Sequence, residues 1–184
     1  CSTAMGGNAL ACNTTGCYNT AYGKDALCAN TTAINNTAVG MSALKVNTTG
    51  TQNVAVGRNA GDANTEGTNN VALGDSALSS NTTADGNTAV GRASLHSNTT
   101  GTRNTAVGND ALFTNTTGNE NASFGNLSLD ANTTGCKNNG FGDSTLTANT
   151  TACCNVAIGN AALSSNTEGN NNVAIGINSL TANT

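Results

Sequence analysis

The sequence predicts an all-β, parallel β-solenoid (a β-roll or β-helix), in which each coil contains seventeen residues. Glycine recurs at that spacing from Gly6 to Gly176 without an insertion or a deletion, and Asn-Thr fills the same two positions of every repeat. A unit this short cannot form a helical-hairpin repeat, which needs roughly 33–47 residues, but it suits one solenoid coil. We therefore expect one domain over residues 1–184, with ten full coils and an incomplete eleventh.

The first element of each coil is predicted to be a short strand. Repeat positions are numbered 1 to 17 from Cys1, and positions 3–5 mostly read Thr-Ala-Val or Val-Ala-Ile. Side chains alternate between the two faces of a strand. We expect the large apolar residue at position 5 to point into the core together with position 3, and the alanine at position 4 to face outwards. An outward alanine column would lie under a loop of its own coil or contact another chain.

The rest of the coil is predicted to consist of corners and a second inward segment. Glycine at position 6 is expected to turn the chain after the strand, either because its φ is positive or because no Cβ fits there. Ala-Leu at positions 9 and 10 should pack inward on a thin aliphatic core. Coils stack about 4.8 Å apart, so eleven coils would make a rod about 50 Å long, with a column of like residues at each position.

Asparagines at positions 2 and 13 are expected to form ladders in which each side-chain amide bonds to the next coil. The position-13 column stays Asn even where Glu66 and Glu168 destroy the N-glycosylation sequon, which favours a buried corner residue over a glycan acceptor. The members of this column are Asn13, Asn30, Asn47, Asn64, Asn81, Asn98, Asn115, Asn132, Asn149, Asn166 and Asn183.

Composition excludes several functional classes. The chain has only six basic residues and a net charge of −4, which argues against nucleic-acid binding. No apolar run approaches the roughly 18–20 residues that span a bilayer. The single histidine, His96, lies at a variable position, and no two acidic residues share a column in adjacent coils. We therefore expect no enzyme activity, no catalytic or metal site and no cofactor.

The cysteines are expected to cross-link the terminal coils through disulfide bonds. Cys136 and Cys153 share position 17 of adjacent coils, so their Cα atoms should lie about 5 Å apart, within disulfide reach. Cys154 is left over as an intermolecular or free thiol, and the alternative for Cys1 is a lipidated N-terminus. Disulfides indicate an extracellular or cell-surface location. The expected pairs are Cys1–Cys17, Cys12–Cys28 and Cys136–Cys153.

The phrases NTAVG, NVAVG, NVALG and NVAIG, each followed by two variable residues and then usually Ala-Leu or Ser-Leu, recur along the whole chain. They resemble the head repeats of trimeric autotransporter adhesins, typified by the YadA head, and related repeats in bacterial and phage fibre proteins. The resemblance implies a parallel β-roll and lateral or trimeric association of copies.

These observations favour a structural subunit of an extracellular filament or fibre that self-assembles through uncapped solenoid ends and lateral contacts. Its expected partners are copies of itself, with glycans as a further candidate. The alternatives are a surface adhesin or glycan-binding head, and an ice-binding protein with a threonine column repeating at about 4.8 Å. The candidate glycan-bearing or ice-facing residues are Thr14, Thr31, Thr48, Thr82, Thr99, Thr116, Thr133 and Thr150.

Overall fold

The computed structural model describes residues 1–183 as a parallel β-solenoid with one three-residue strand per coil. The strands pair in chain order as a single eleven-stranded sheet, and Thr3 pairs with Thr20, seventeen residues later. The predicted fold class is therefore confirmed. The strands are β1 (Thr3–Met5), β2 (Thr20–Tyr22), β3 (Thr37–Val39), β4 (Val54–Val56), β5 (Val71–Leu73), β6 (Thr88–Val90), β7 (Thr105–Val107), β8 (Ala122–Phe124), β9 (Asn139–Phe141), β10 (Val156–Ile158) and β11 (Val173–Ile175).

The strands present the opposite face to the core from the one that we expected. In β7, Ala106 is 0% exposed, whereas Thr105 and Val107 on either side are only half-buried. The expectation that position 5 points inward and position 4 outward was therefore wrong. The interior is narrow, and a fully buried leucine such as Leu112 already fills it from the other side of the coil. Only a small side chain fits opposite, so the inward residue is alanine in most coils and serine at Ser123.

Positions 6–12 are consecutive turns. Asp110 and Leu112 adopt left-handed backbone conformations, with φ of 53° and 52°, and this alternation recurs at positions 8 and 10 of the other coils. The Ala111 N–H donates to the Gly108 carbonyl (3.5 Å), and the Asn115 N–H donates to the Leu112 carbonyl (3.2 Å). Positions 9 and 10 do pack inward, as the sequence predicts, but they do so from turns.

Glycine at position 6 is required for both of the predicted reasons. Gly108 has a φ of 141°, which L-residues rarely adopt. A Cβ on Gly108 would also lie 2.3 Å from the carbonyl oxygen of Gly125 in the next coil. The glycine column therefore allows consecutive coils to approach closely at this corner.

Two asparagine ladders run inside the rod, as predicted. At position 13, Asn98 Nδ2 donates to Asn81 Oδ1 of the preceding coil (3.1 Å) and to the Gly101 carbonyl of its own coil (2.9 Å). At position 2, Asn104 donates its N–H to Asn87 Oδ1 (2.9 Å). All four asparagines are fully buried, and their hydrogen bonds satisfy polar groups that would otherwise be costly to bury.

Where the inner residue of the strand changes, its neighbours compensate. Position 4 is glycine at Gly140, and position 9 of the same coil is Thr145 instead of the usual alanine or serine. The Thr145 hydroxyl lies 2.7 Å from the Ser128 hydroxyl, and a Cβ on Gly140 would come within 2.6 Å of Ser128 Oγ and 2.8 Å of Thr145 Oγ1. The larger residue at position 9 therefore occupies the space that an alanine would need.

Candidate functional site

The outward face of the sheet is formed by positions 3 and 5 of β1–β11, here called the outer strip. Position 5 is apolar in every coil. These side chains stack on those of the neighbouring coils, but most of them stay exposed to solvent. Phe124 and Phe141 stack there with ring centroids 4.9 Å apart. The most exposed position-5 residues are Met5, Tyr22, Val56, Leu73, Phe124, Phe141, Ile158 and Ile175.

No charged residue lies in any of the eleven strands. The six basic and ten acidic residues of the chain all fall at positions 1, 7, 8, 11, 15 or 17. The columns that flank the strip carry ion pairs between adjacent coils: Arg58 with Asp75 at position 7 (2.8 Å), and Arg103 with Glu120 at position 1 (3.2 Å). The Arg58 guanidinium lowers the pKa of the Asp75 carboxyl through hydrogen bonds and charge. The strip is therefore uncharged and apolar along position 5, threonine or valine fills most of position 3, and the columns on either side carry charged residues.

The predicted threonine column at position 14 is only partly available to a ligand. Thr99 Oγ1 donates to the Thr116 carbonyl of the next coil (3.1 Å), and each position-14 hydroxyl from Thr14 to Thr133 makes the equivalent bond. Position 15, in contrast, is exposed in each of the ten coils that contain it. Its members are threonines except for Glu66 and Glu168. The more accessible threonine column is therefore one position later than the predicted set.

All seven cysteines are free thiols in the structure, so none of the three predicted disulfides is formed. Cys136 Sγ and Cys153 Sγ lie 3.6 Å apart, and the Cys136 N–H donates to Cys153 Sγ (3.0 Å). That separation is a thiol contact, because a disulfide needs about 2.05 Å. Burial, reinforced by Cys153, raises the pKa of the Cys136 thiol.

The members of the other two predicted pairs also lie close together: Cys12 and Cys28 are in adjacent coils, and Cys1 and Cys17 are the first and last residues of coil 1. The Cys12 N–H donates to the Cys28 carbonyl (3.0 Å), which confirms that their backbones are adjacent. The Cys1 carbonyl accepts from the N–H of Tyr18, the residue after Cys17 (2.9 Å). Cys154, the predicted unpaired thiol, is exposed. Disulfide formation at these positions stays a prediction.

One cluster of polar and apolar side chains was missed by the sequence interpretation. His96 stacks on Phe113 with ring centroids 4.9 Å apart, and Asp110 and Asp130 line a groove beside that phenylalanine. A comparison of acidic residues within one column cannot find this cluster, because position 8 of one coil lies near position 11 of the next. The available signal was the presence of Phe113 and Leu127, the only large apolar residues at positions 11 and 8.

Within residues 1–183, no group of three or more histidine, cysteine or acidic side chains is placed to hold a metal ion. The same residues include no helix with the length and apolar character needed to cross a membrane. Comparisons with protein-family models, with curated proteins and with solved structures give no significant match. The architecture is thus a parallel β-solenoid with asparagine ladders, without assignment to a family.

Proposed function

We propose that the chain is a structural subunit of an extracellular filament or fibre, and that its copies associate side by side through the outer strip. The observation that carries this proposal is the strip itself, which is uncharged along all eleven strands and apolar at every position 5. From the sequence, the alanine column at position 4 was expected to face outwards, either under a loop of its own coil or in contact with another chain. That column is buried, and position 5 takes its place on the surface.

The size of the strip is sufficient for association. Eleven strands about 4.8 Å apart, each about 10 Å long, cover on the order of 500 Å². Two such faces in contact would bury about 1,000 Å² in total, near the lower limit for a specific interface. A patch of about 500 Å² is comparable to the largest apolar patch on a typical monomer, roughly 300–600 Å², and such patches are often functional. The charged columns at positions 1 and 7 would border the contact and oppose misaligned pairing.

Other parts of the proposal rest on the sequence. The resemblance to trimeric autotransporter heads supports lateral association, including assembly of three copies. The seven cysteines support an extracellular or cell-surface setting. End-to-end stacking of solenoids remains a second predicted mode of association.

The exposed position-15 column favours ice binding as a second candidate function. Its threonines repeat at about 4.8 Å along a straight stack of coils. Glu66 and Glu168 interrupt the column, which leaves an unbroken run from Thr83 to Thr151. Thermal hysteresis of the purified protein would support this candidate, and its absence would remove it. Glycan binding stays a prediction, to be checked on a glycan array.

Lateral association can be tested with two matched double variants. Val56→Lys/Val90→Lys places two lysines in the outer strip, whereas Thr83→Lys/Thr117→Lys places two at the same spacing in the exposed position-15 column. Light scattering should give a mass that is a multiple of 18.1 kDa for the wild type and the threonine variant, but 18.1 kDa for the valine variant. Equal masses for the two variants would contradict the proposal.

A further inference from the structure

The turn segments of coil 7 (residues 103–119) and coil 8 (residues 120–136) form a groove of about 350 Å³, away from the outer strip. Its volume falls within the range of small-molecule sites, roughly 300–1,000 Å³. Its lining combines apolar and charged side chains. The residues used below are Arg92, Asp110, Phe113, Leu127, Asp130 and Ala131.

The groove exists because two residues depart from the repeat. Phe113 occupies position 11, which is small or polar in most coils, and Leu127 occupies position 8, which is Asn, Asp, Ser or Ala elsewhere. One ring face of Phe113 is covered by His96 of coil 6, so the opposite face is directed towards coil 8. There the same column holds Asp130, whose shorter side chain leaves space above the ring.

The two carboxylates of the groove differ in how they are neutralised. Asp110 is paired with Arg92 Nη1 at 3.3 Å. Asp130 is half-buried, and its buried Oδ1 has no hydrogen-bond partner among the residues that the structure describes. Burial raises the pKa of Asp130, hydrogen bonds from the backbone N–H groups of Ala131 and Asp130 lower it in part, and the charge of Asp110 raises it further. Asp130 lies near the charge of Asp110 and forms no ion pair among the described residues, so a cation in the groove would stabilise its carboxylate.

We propose that this groove binds a small organic ammonium ion with an apolar body. The ammonium group pairs with the Asp130 carboxylate and lies over the free face of Phe113, where the ring quadrupole attracts a cation. The apolar body packs on Leu127 and Ala131. This site lies outside the outer strip and does not depend on fibre assembly.

The test is an NMR titration of ¹⁵N-labelled protein with phenethylammonium, and with 2-phenylethanol as its neutral analogue. Asp130→Asn is compared with Asp62→Asn, which changes a half-buried aspartate at the same repeat position in a coil without the groove. Leu127→Ser removes the apolar wall and introduces the residue that Ser42, Ser76 and Ser144 provide at position 8. Amide shifts far from the groove report whether each variant keeps its fold.

Phenethylammonium should shift the amides of coils 7 and 8, and 2-phenylethanol should bind at least about tenfold more weakly, as expected for loss of one charged contact. Asp130→Asn and Leu127→Ser should each weaken the binding of the cation, and Asp62→Asn should leave it unchanged. The proposal is overturned if the cation causes no local shifts, if the alcohol binds equally well, or if Asp62→Asn weakens binding as much as Asp130→Asn.

Discussion

Two neighbouring residues of β7 provide a direct test of which strand face is buried. Ala106→Val adds two methyl groups to a side chain that is 0% exposed and packs in the same cluster as Leu112. Overpacking of this kind costs about 1–3 kcal/mol in free energy of unfolding. Val107→Thr keeps the shape of a half-buried residue and places its hydroxyl on the outer face, so its cost should stay within about 0.5 kcal/mol.

The free energy of unfolding of each variant is measured by urea titration, with circular dichroism as the signal. The comparison holds when the two variants have the same m-value, the dependence of that free energy on urea concentration. If position 5 were buried, Val107→Thr would place a hydroxyl in the core at a cost of about 1–3 kcal/mol, while Ala106→Val would be tolerated. That reversed order would refute the assignment of the faces. Repeating the pair in the Val56→Lys/Val90→Lys background removes any contribution from association, which itself stabilises the folded state.

Three further predictions concern a glycine, an aspartate and a pair of cysteines. Gly108→Ala should cost at least about 3 kcal/mol, because its φ is unfavourable for alanine and its Cβ would meet backbone, whereas Gly7→Ala, with no atom within 4 Å, should have little effect on the urea midpoint. Asp130→Asn should stabilise the protein at neutral pH. Because the pKa of Asp130 is raised on folding, protonated Asp130 stabilises the wild type fully below the ordinary value of 3.8, and this contribution is lost as the pH rises through the raised value. The melting temperatures of the wild type and Asp130→Asn should therefore converge in acid. Oxidised glutathione should link Cys136 to Cys153, since their sulfurs are 3.6 Å apart, and raise stability by about 3 kcal/mol for a loop of this length. Peptide mapping that finds these two thiols unlinked would contradict the last prediction.

The sequence predicts the repeating features of the fold because each repeated residue has one environment. Gly108 and Asn98 could be assigned from their columns alone, since the physical need for glycine at a crowded corner and for a paired buried amide recurs in every coil. Which face of each strand is buried could not be predicted in this way. In a strand of three residues such as Thr105–Val107, either the central side chain or the two flanking ones can point into the core. Which of them does so depends on the width of the interior.

The groove could not be predicted from the sequence for a different reason. Columns describe contacts between like positions, but Asp110 and Asp130 come together from different positions of adjacent coils. Their proximity depends on the path of the turns, in which residues such as Leu112 take left-handed conformations that the sequence does not signal. Only the departures of Phe113 and Leu127 from the repeat indicated that this part of the rod differs from the rest.

Small-angle X-ray scattering of the purified wild-type protein tests the central claim most directly, because it measures mass, length and cross-section together. Side-by-side association through the outer strip predicts a mass that is a multiple of 18.1 kDa and a cross-section wider than one coil. Side-by-side association alone keeps the length near 50 Å, about the value for eleven coils at strand spacing, whereas end-to-end stacking would lengthen the particle. A particle of 18.1 kDa with the cross-section of a single coil would contradict the claim.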